Sequence, residues 1–320
     1  MKLPKVFKRV LTSVCALALA VGVAGCGGSN GEKDQFVNIA TGGTAGTYYP
    51  IGGAIAEVLN KSGINASAQS TGASVANINM LKDKQVELAI VQNDITYYAV
   101  NGEEMFKEGG KIENIQGIAS LYPETCQFIV REDSGIKSIN DLKGKRVAVG
   151  AAGSGAEANA RQILEAYGIT YDDVDEQFLS FADGSYAIKD GTVDAAFVTA
   201  GYPTASVQDI ASQNKIRLLP VGDDQIKKLA EKYPFYTKTT IPAGTYQGFD
   251  EEVTSVSVMA ILVANDKIDA ALGEKLTTAI FDNLDKIAAA HSVAKSITKA
   301  TALEGLDFIK MNEGATKVLK

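Results

Sequence analysis

The sequence predicts a two-lobed α/β protein, hinged on two long strands, with a ligand cleft between the lobes. Three observations predict it. Short apolar strands alternate with amphipathic helices, the pattern of parallel α/β structure. One supersecondary unit is written twice along the chain. Two long extended segments occur where the chain would cross between the copies.

The first unit opens with a strand at Val37-Asn38-Ile39-Ala40 and the glycine-rich loop Thr41 to Thr47. A helix follows, with Pro50 near its first turn, where a missing N–H costs little. Ile51, Ile55, Val58 and Leu59 are spaced to bury one face, and Gly63 stops the helix. Further on, Leu81 to Val91 is matched by Ile188 to Val198 at a constant displacement of 107. Both stretches read as a helix end, a Lys-Asp turn, an acidic residue and an apolar strand. Upstream, Val37 to Thr41 with its glycine loop corresponds to Val147 to Ala151 with Gly153 and Gly155, displaced by about 110. Two such units set two groups of strand C-terminal loops against each other, and ligands of open α/β sheets bind at those ends. The expected hinge segments are Gly117 to Val130, broken by Pro123, and Val253 to Val263.

The N-terminus predicts export. Lys2, Lys5, Lys8 and Arg9 precede an apolar run of 14 residues, Val10 to Val23, too short for a stable membrane span. The run ends in Val23-Ala24-Gly25-Cys26, which resembles a bacterial lipobox, so Cys26 is the expected lipidation site and membrane anchor. Gly27 to Asp34 reads as a flexible tether. The expected organisation is a signal at 1–26, a tether at 27–35, lobe I at 36–122 plus 257–320, and lobe II at 123–256. A monomer is expected, outside the cytoplasmic membrane.

The formal charge is −7, and the signal holds four positive and no negative residues, so the remainder is more acidic still. That balance, with no arginine-rich or aromatic-basic segment, argues against nucleic acid. Of three cysteines only Cys126 stays free in the body, in the apolar stretch Cys126 to Val130, where a small buried residue is expected. The single His291 sits in a helical run and cannot build a histidine-rich zinc site. Neither a metal nor a cofactor is expected.

Candidate ligand contacts follow from the loops. In the first glycine loop these are Gly43, Thr44, Gly46, Thr47 and Tyr48, offering N–H groups, hydroxyls and a helix N-terminus suited to an anion. The hydroxyl of Thr41 belongs to the same loop. Its counterpart in the second lobe presents Ser154, Gly155 and Glu157, with Ser154 and Glu157 spaced as a capping box. Thr71 and Ser74, Gln92 and Asn93, and Thr199 and Gly201 lie at three further strand ends. Enzymatic readings fail on spacing. Gly150, Gly153 and Gly155 form GxxGxG rather than GxGxxG, no Walker motif occurs, and the serine of Ala152 to Ala156 lacks GxSxG spacing. The protein is not expected to be an enzyme.

Thr41-Gly42-Gly43-Thr44 followed by Gly46-Thr47-Tyr48-Tyr49-Pro50-Ile51-Gly52 resembles the opening signature of the TAXI family. These are binding proteins of tripartite ATP-independent periplasmic (TRAP) transporters. Ser70 to Asn77, Gly153 to Glu157, Ala200 to Pro203 and Ile241 to Tyr246 fit the same family, while the tail Lys310 to Ala315 departs from it. The resemblance implies a type II-like periplasmic-binding-protein fold that closes on its ligand. It also implies a TRAP-type permease as partner and a small carboxylate, glutamate or a related dicarboxylate, as ligand. An amino group on that ligand would need an acidic partner, for which Asp94, Glu157 and Asp183 are candidates. The alternatives are an ABC-type binding protein and a receptor presenting ligand to a sensor kinase.

Overall fold

The sheet order of the protein is nearly a palindrome of its own sequence repeat. The computed structural model describes residues 36–320, so the signal, Cys26 and the tether lie outside the described residues. The first unit consists of β1 (Val37–Ala40), α1 (Tyr48–Lys61), β2 (Ala66–Gln69), α2 (Ser74–Lys82), β3 (Leu88–Gln92) and α3 (Asn93–Asn101). The strand β4 (Ile115–Arg131) then leads to the second unit. That unit is β5 (Arg146–Ala148), α4 (Gly155–Ala166), β6 (Asp175–Gln177), α5 (Phe181–Asp190), β7 (Ala195–Ala200) and α6 (Ala205–Gln213). Next come β8 (Ile216–Leu219), α7 (Asp223–Lys232), β9 (Thr237–Ile241) and β10 (Val253–Asn265). Three helices close the chain: α8 (Ala270–Phe281), α9 (Leu284–Ala290) and α10 (Glu313–Leu319).

The displacement of 107 read from the sequence is met at three element starts. It relates Tyr48 of α1 to Gly155 of α4, Ser74 of α2 to Phe181 of α5, and Leu88 of β3 to Ala195 of β7. The sheet runs β2-β1-β3-β10-β4-β7-β5-β6. Exchanging the two units turns this order into its own reverse, with β10 and β4 trading places at the centre. Within each unit the strands pair in parallel. β3 and β7, covered on both faces, are buried along their whole length.

Helix α1 buries Ile51, Ile55, Val58 and Leu59 as their spacing requires, each side chain contributing roughly 1.5–3 kcal/mol. Gly63 ends it with φ +79, its N–H donating to Asn60 O while that of Ile64 donates to Leu59 O. One apolar cluster runs without interruption from Ile78 and Val91 in the first lobe to Val147 and Ile163 in the second.

The hinge differs from expectation in one respect. β4 is a single strand of 17 residues and Pro123 does not break it. Pro123 sits opposite Met259 of β10, with its side chain exposed. The Met259 N–H donates to Oδ1 of Asn93, 3.0 Å away. A proline costs a strand one donor but keeps its carbonyl, and β4 continues through it. β10 and β4 pair antiparallel from Ser257↔Thr125 to Asn265↔Ile115. These are the two strands that carry the chain between lobes.

Candidate functional site

Every loop expected at the cleft leaves the carboxyl end of a parallel strand, and these five converge with a sixth, the β6–α5 loop, that was not expected. The β1–α1, β2–α2, β5–α4 and β6–α5 loops and the ends of β3 and β7 enclose a cavity of about 80 Å³. Four helices begin on its wall, at Tyr48, Ser74, Gly155 and Phe181. Their first-turn N–H groups carry the partial positive charge of the helix N-terminus.

The lobes are closed over this cavity. Thr47 Oγ1 donates to Gly201 O at 3.0 Å, and Ser206 N–H donates to Ala45 O at 3.2 Å. Ala76 N–H donates to Gly153 O at 3.3 Å. Below these, Asn159 of α4 donates through Nδ2 to Asp94 Oδ2 at 2.8 Å and accepts on Oδ1 from Gln92 Nε2 at 3.0 Å. On another side, a ring nitrogen of His291, Nε2, lies 3.1 Å from Pro203 O, while its Nδ1 accepts from Val293 N–H. His291 follows the end of α9 in extended backbone, so it serves as a contact between segments rather than a helical residue. Burial holds its imidazole below the usual value.

Most expected contacts line the cavity. They are Gly43, Gly46, Thr47 and Tyr48 from the first loop, Thr71 and Ser74 from the second, and Gln92. Ser154, Gly155 and Thr199 line it from the second lobe. The threonine hydroxyls do not face a ligand as expected. Thr41 Oγ1 donates to Gln69 O at 2.7 Å, and Thr71 Oγ1 lies 2.8 Å from Thr41 O. The loops therefore present backbone, with their hydroxyls spent on holding one another.

Four expected residues are not on the wall. Thr44 is exposed at the loop tip. Asn93 holds Met259 and the N–H of Asp94. Gly201 contributes its carbonyl to closure. Glu157 is drawn away to Tyr171, whose Oη donates to its Oε1 at 2.8 Å, and to Arg161. Only half of the expected capping box forms, because Ser154 Oγ accepts from Glu157 N–H but nothing returns from Glu157. Gly150 makes the turn possible, with φ +106 and only 3.1 Å between an added Cβ and Glu157 N.

None of the three acidic side chains considered for an amino group lines the cavity. Asp94 lies behind it against Asn159, and burial pushes its carboxyl up to about 6. Asp183 is exposed beside its α5 cap, Ser180. The carboxylate on the wall is Glu124, from the middle of β4. It is 1 % exposed, and Tyr48 Oη donates to its Oε2 at 2.7 Å. Burial pushes this carboxyl well above its usual value, against the pull of the Tyr48 hydrogen bond. Burial together with the Glu124 charge pushes the Tyr48 phenol up as well. Among the described residues no lysine, arginine or histidine lines the cavity. The sequence did carry a signal for Glu124, the one acid in the long hinge strand.

Comparison with known proteins agrees with this architecture. An Escherichia coli (strain K12) protein named as aliphatic sulfonates-binding is 31% identical over 108 residues, 34% of this chain and 32% of its own length. The match thus spans about a third of that relative. Among solved structures, PhnD1 from Prochlorococcus marinus (MIT 9301), in complex with methylphosphonate, superposes with a TM-score of 0.56 at 12% identity. That likeness covers 83% of this chain and 92% of PhnD1. The ligand-binding component of an ABC-type import system from Staphylococcus aureus superposes with a TM-score of 0.50 at 10% identity, covering 89% of each chain. These likenesses show the two-lobed periplasmic-binding-protein fold. The profile of the NMT1-like family matches residues 39–320, and the chain belongs to that family.

Proposed function

We propose that the protein is an extracytoplasmic solute-binding protein that captures a small organic molecule bearing an anionic group and delivers it to a membrane permease. One observation carries the reading: a small cavity, closed between two lobes, on whose wall four helices begin. Anions are favoured at helix N-termini, and only the closed form lets both lobes contact one solute. Ligand would stabilise that form, and the permease would recognise it. No catalytic role is proposed.

The permease is proposed to be of ABC type. The sulfonate-binding relative and the import-system component support this over the TRAP permease expected from the TAXI resemblance. The sulfonate-binding relative and PhnD1 add sulfonates and phosphonates to carboxylates as the proposed anionic group. The lobe boundaries at 122/123 and 256/257, and anchoring through an acylated Cys26, are part of the same proposal. Among the described residues no helix is long and apolar enough to cross a membrane.

A thermal-shift screen of residues 27–320 against carboxylates, sulfonates, phosphonates, sugars and neutral amino acids tests the reading, with calorimetry on the hits. A solute present at 100 times its dissociation constant adds roughly 2.7 kcal/mol to the folded state. A strong shift by a sugar with none by any anion would overturn the anionic assignment. Uptake into cells separates the permeases: ATP depletion stops an ABC importer, whereas an ionophore stops an ion-driven one.

A further inference from the structure

The cavity wall is unbalanced in its donors and acceptors. Glu124 is buried and belongs to that wall, yet Tyr48 is its one side-chain donor among the described residues, and its Oε1 receives none. A carboxylate has about four lone-pair sites, so most of its capacity is unused. A second acceptor on the same lining is in a similar state. Gln92 is 2 % exposed, and its Oε1 is buried without any hydrogen-bond partner. Its orientation follows from a chain of neighbours. Asn159 donates through Nδ2 to Asp94 and to Tyr236, so its Oδ1 must accept from Gln92 Nε2, leaving the amide oxygen of Gln92 unpaired.

Buried acceptors without donors are costly, and a buried carboxyl without a cation holds its proton rather than its charge until a cation arrives. The lining holds no cation of its own. The complementary group must therefore arrive with the solute, and an ammonium brings a positive charge and three donors. The remainder of the solute meets the opposite condition at the N-termini of α1 and α2, which no side chain caps. At about 80 Å³ the cavity holds roughly five to eight non-hydrogen atoms, taking ~10–15 Å³ per water-sized site.

Resting on the reading of the cleft as a solute site, we infer that the solute is a small zwitterion whose ammonium group pairs with Glu124 and whose anionic group lies at the helix N-termini.

The test uses pairs of probes that differ only in the amino group, on wild-type protein by calorimetry: taurine with ethanesulfonate, β-alanine with propionate, and 2-aminoethylphosphonate with ethylphosphonate. For at least one pair, the amino member should bind at least about tenfold tighter, the scale of one charge-assisted contact. In Glu124→Gln that ratio should fall to about one, because the amide keeps the acceptor but not the charge. Equal or tighter binding of the amino-free members by the wild type would overturn the inference while leaving a solute-binding cleft intact. An amino preference that persists undiminished in Glu124→Gln would overturn the role of Glu124. The wild-type comparison decides the ligand class even if the variant does not fold. If no solute of any class binds, the reading of the cleft fails, and the inference falls with it.

Discussion

Gly155 offers a direct way to test whether the closed cavity is the binding-competent form. It begins α4 in the second lobe, and a Cβ placed there would lie 1.8 Å from Oε1 and 2.5 Å from Cδ of Gln92 in the first lobe. Ile95 Cγ1 would stand at 3.0 Å. Gly155→Ala is thus a wedge between lobes, since the three nearest atoms all belong to the first lobe. Gln92 can yield only by breaking its buried bond to Asn159, worth ~1 kcal/mol, and overpacking typically costs about 1–3 kcal/mol more. The sum, ~2–4 kcal/mol, falls on closure. Each 1.4 kcal/mol is tenfold in affinity, so the best solute of the screen should bind roughly 30- to 700-fold more weakly. The backbone at residue 155 is helical, and alanine there should not lower the melting temperature of the ligand-free protein. Calorimetry and ligand-free melting are read together. Unchanged affinity would refute the tight approach of the lobes. A ligand-free loss as large as the loss of binding energy would mean the lobes are closed without solute.

Two further perturbations address the buried acids. Tyr48→Phe removes the phenol that donates to Glu124 and leaves that acid with no side-chain donor, so ligand-free stability should fall by about 1–3 kcal/mol in urea unfolding; no change would show that Glu124 relaxes toward solvent. For Asp94, whose carboxyl is raised from 3.8 to about 6, the folded state binds the proton more tightly than the unfolded one. Its contribution to stability is therefore full below about pH 4 and is lost as pH rises through about 6, a difference of roughly 3 kcal/mol. Asp94→Asn should gain on wild type across that window and hold the gain at pH 7.5. A difference between the two proteins that does not vary with pH would sink this account.

The repeat was legible because its signals are local. Strand, glycine loop and helix start lie within about twenty residues of each other, and a second copy at 107 fixes the register of both. The loops at the carboxyl ends of the strands inherit their position from that plan. Hence Gly46, Tyr48, Ser74, Ser154 and Gly155 could be named as wall residues without coordinates. The direction of individual side chains was not legible. Glu157 is one helical turn from a wall residue, but its carboxylate is claimed by Tyr171 and Arg161, which come from other turns of the fold. Asn93 is adjacent to the wall residue Gln92, yet its Oδ1 accepts from the Met259 N–H of the hinge strand β10.

Glu124 marks the deeper limit. Its strand was expected as a connector, and a connector has no loop chemistry to advertise. Its significance arises only when Tyr48, 76 residues earlier, is brought to 2.7 Å and, among the described residues, no cationic side chain joins the wall. That exclusion is a property of the assembled wall and of no segment within it. The loops alone favoured a carboxylate solute, because helix N-termini are visible in a sequence, and left the partner of any amino group open among Asp94, Glu157 and Asp183. A carboxylate delivered from the hinge offers that partner instead. It makes the strand that lets the lobes move a recognition element as well, so solute contact and closure act on the same residue.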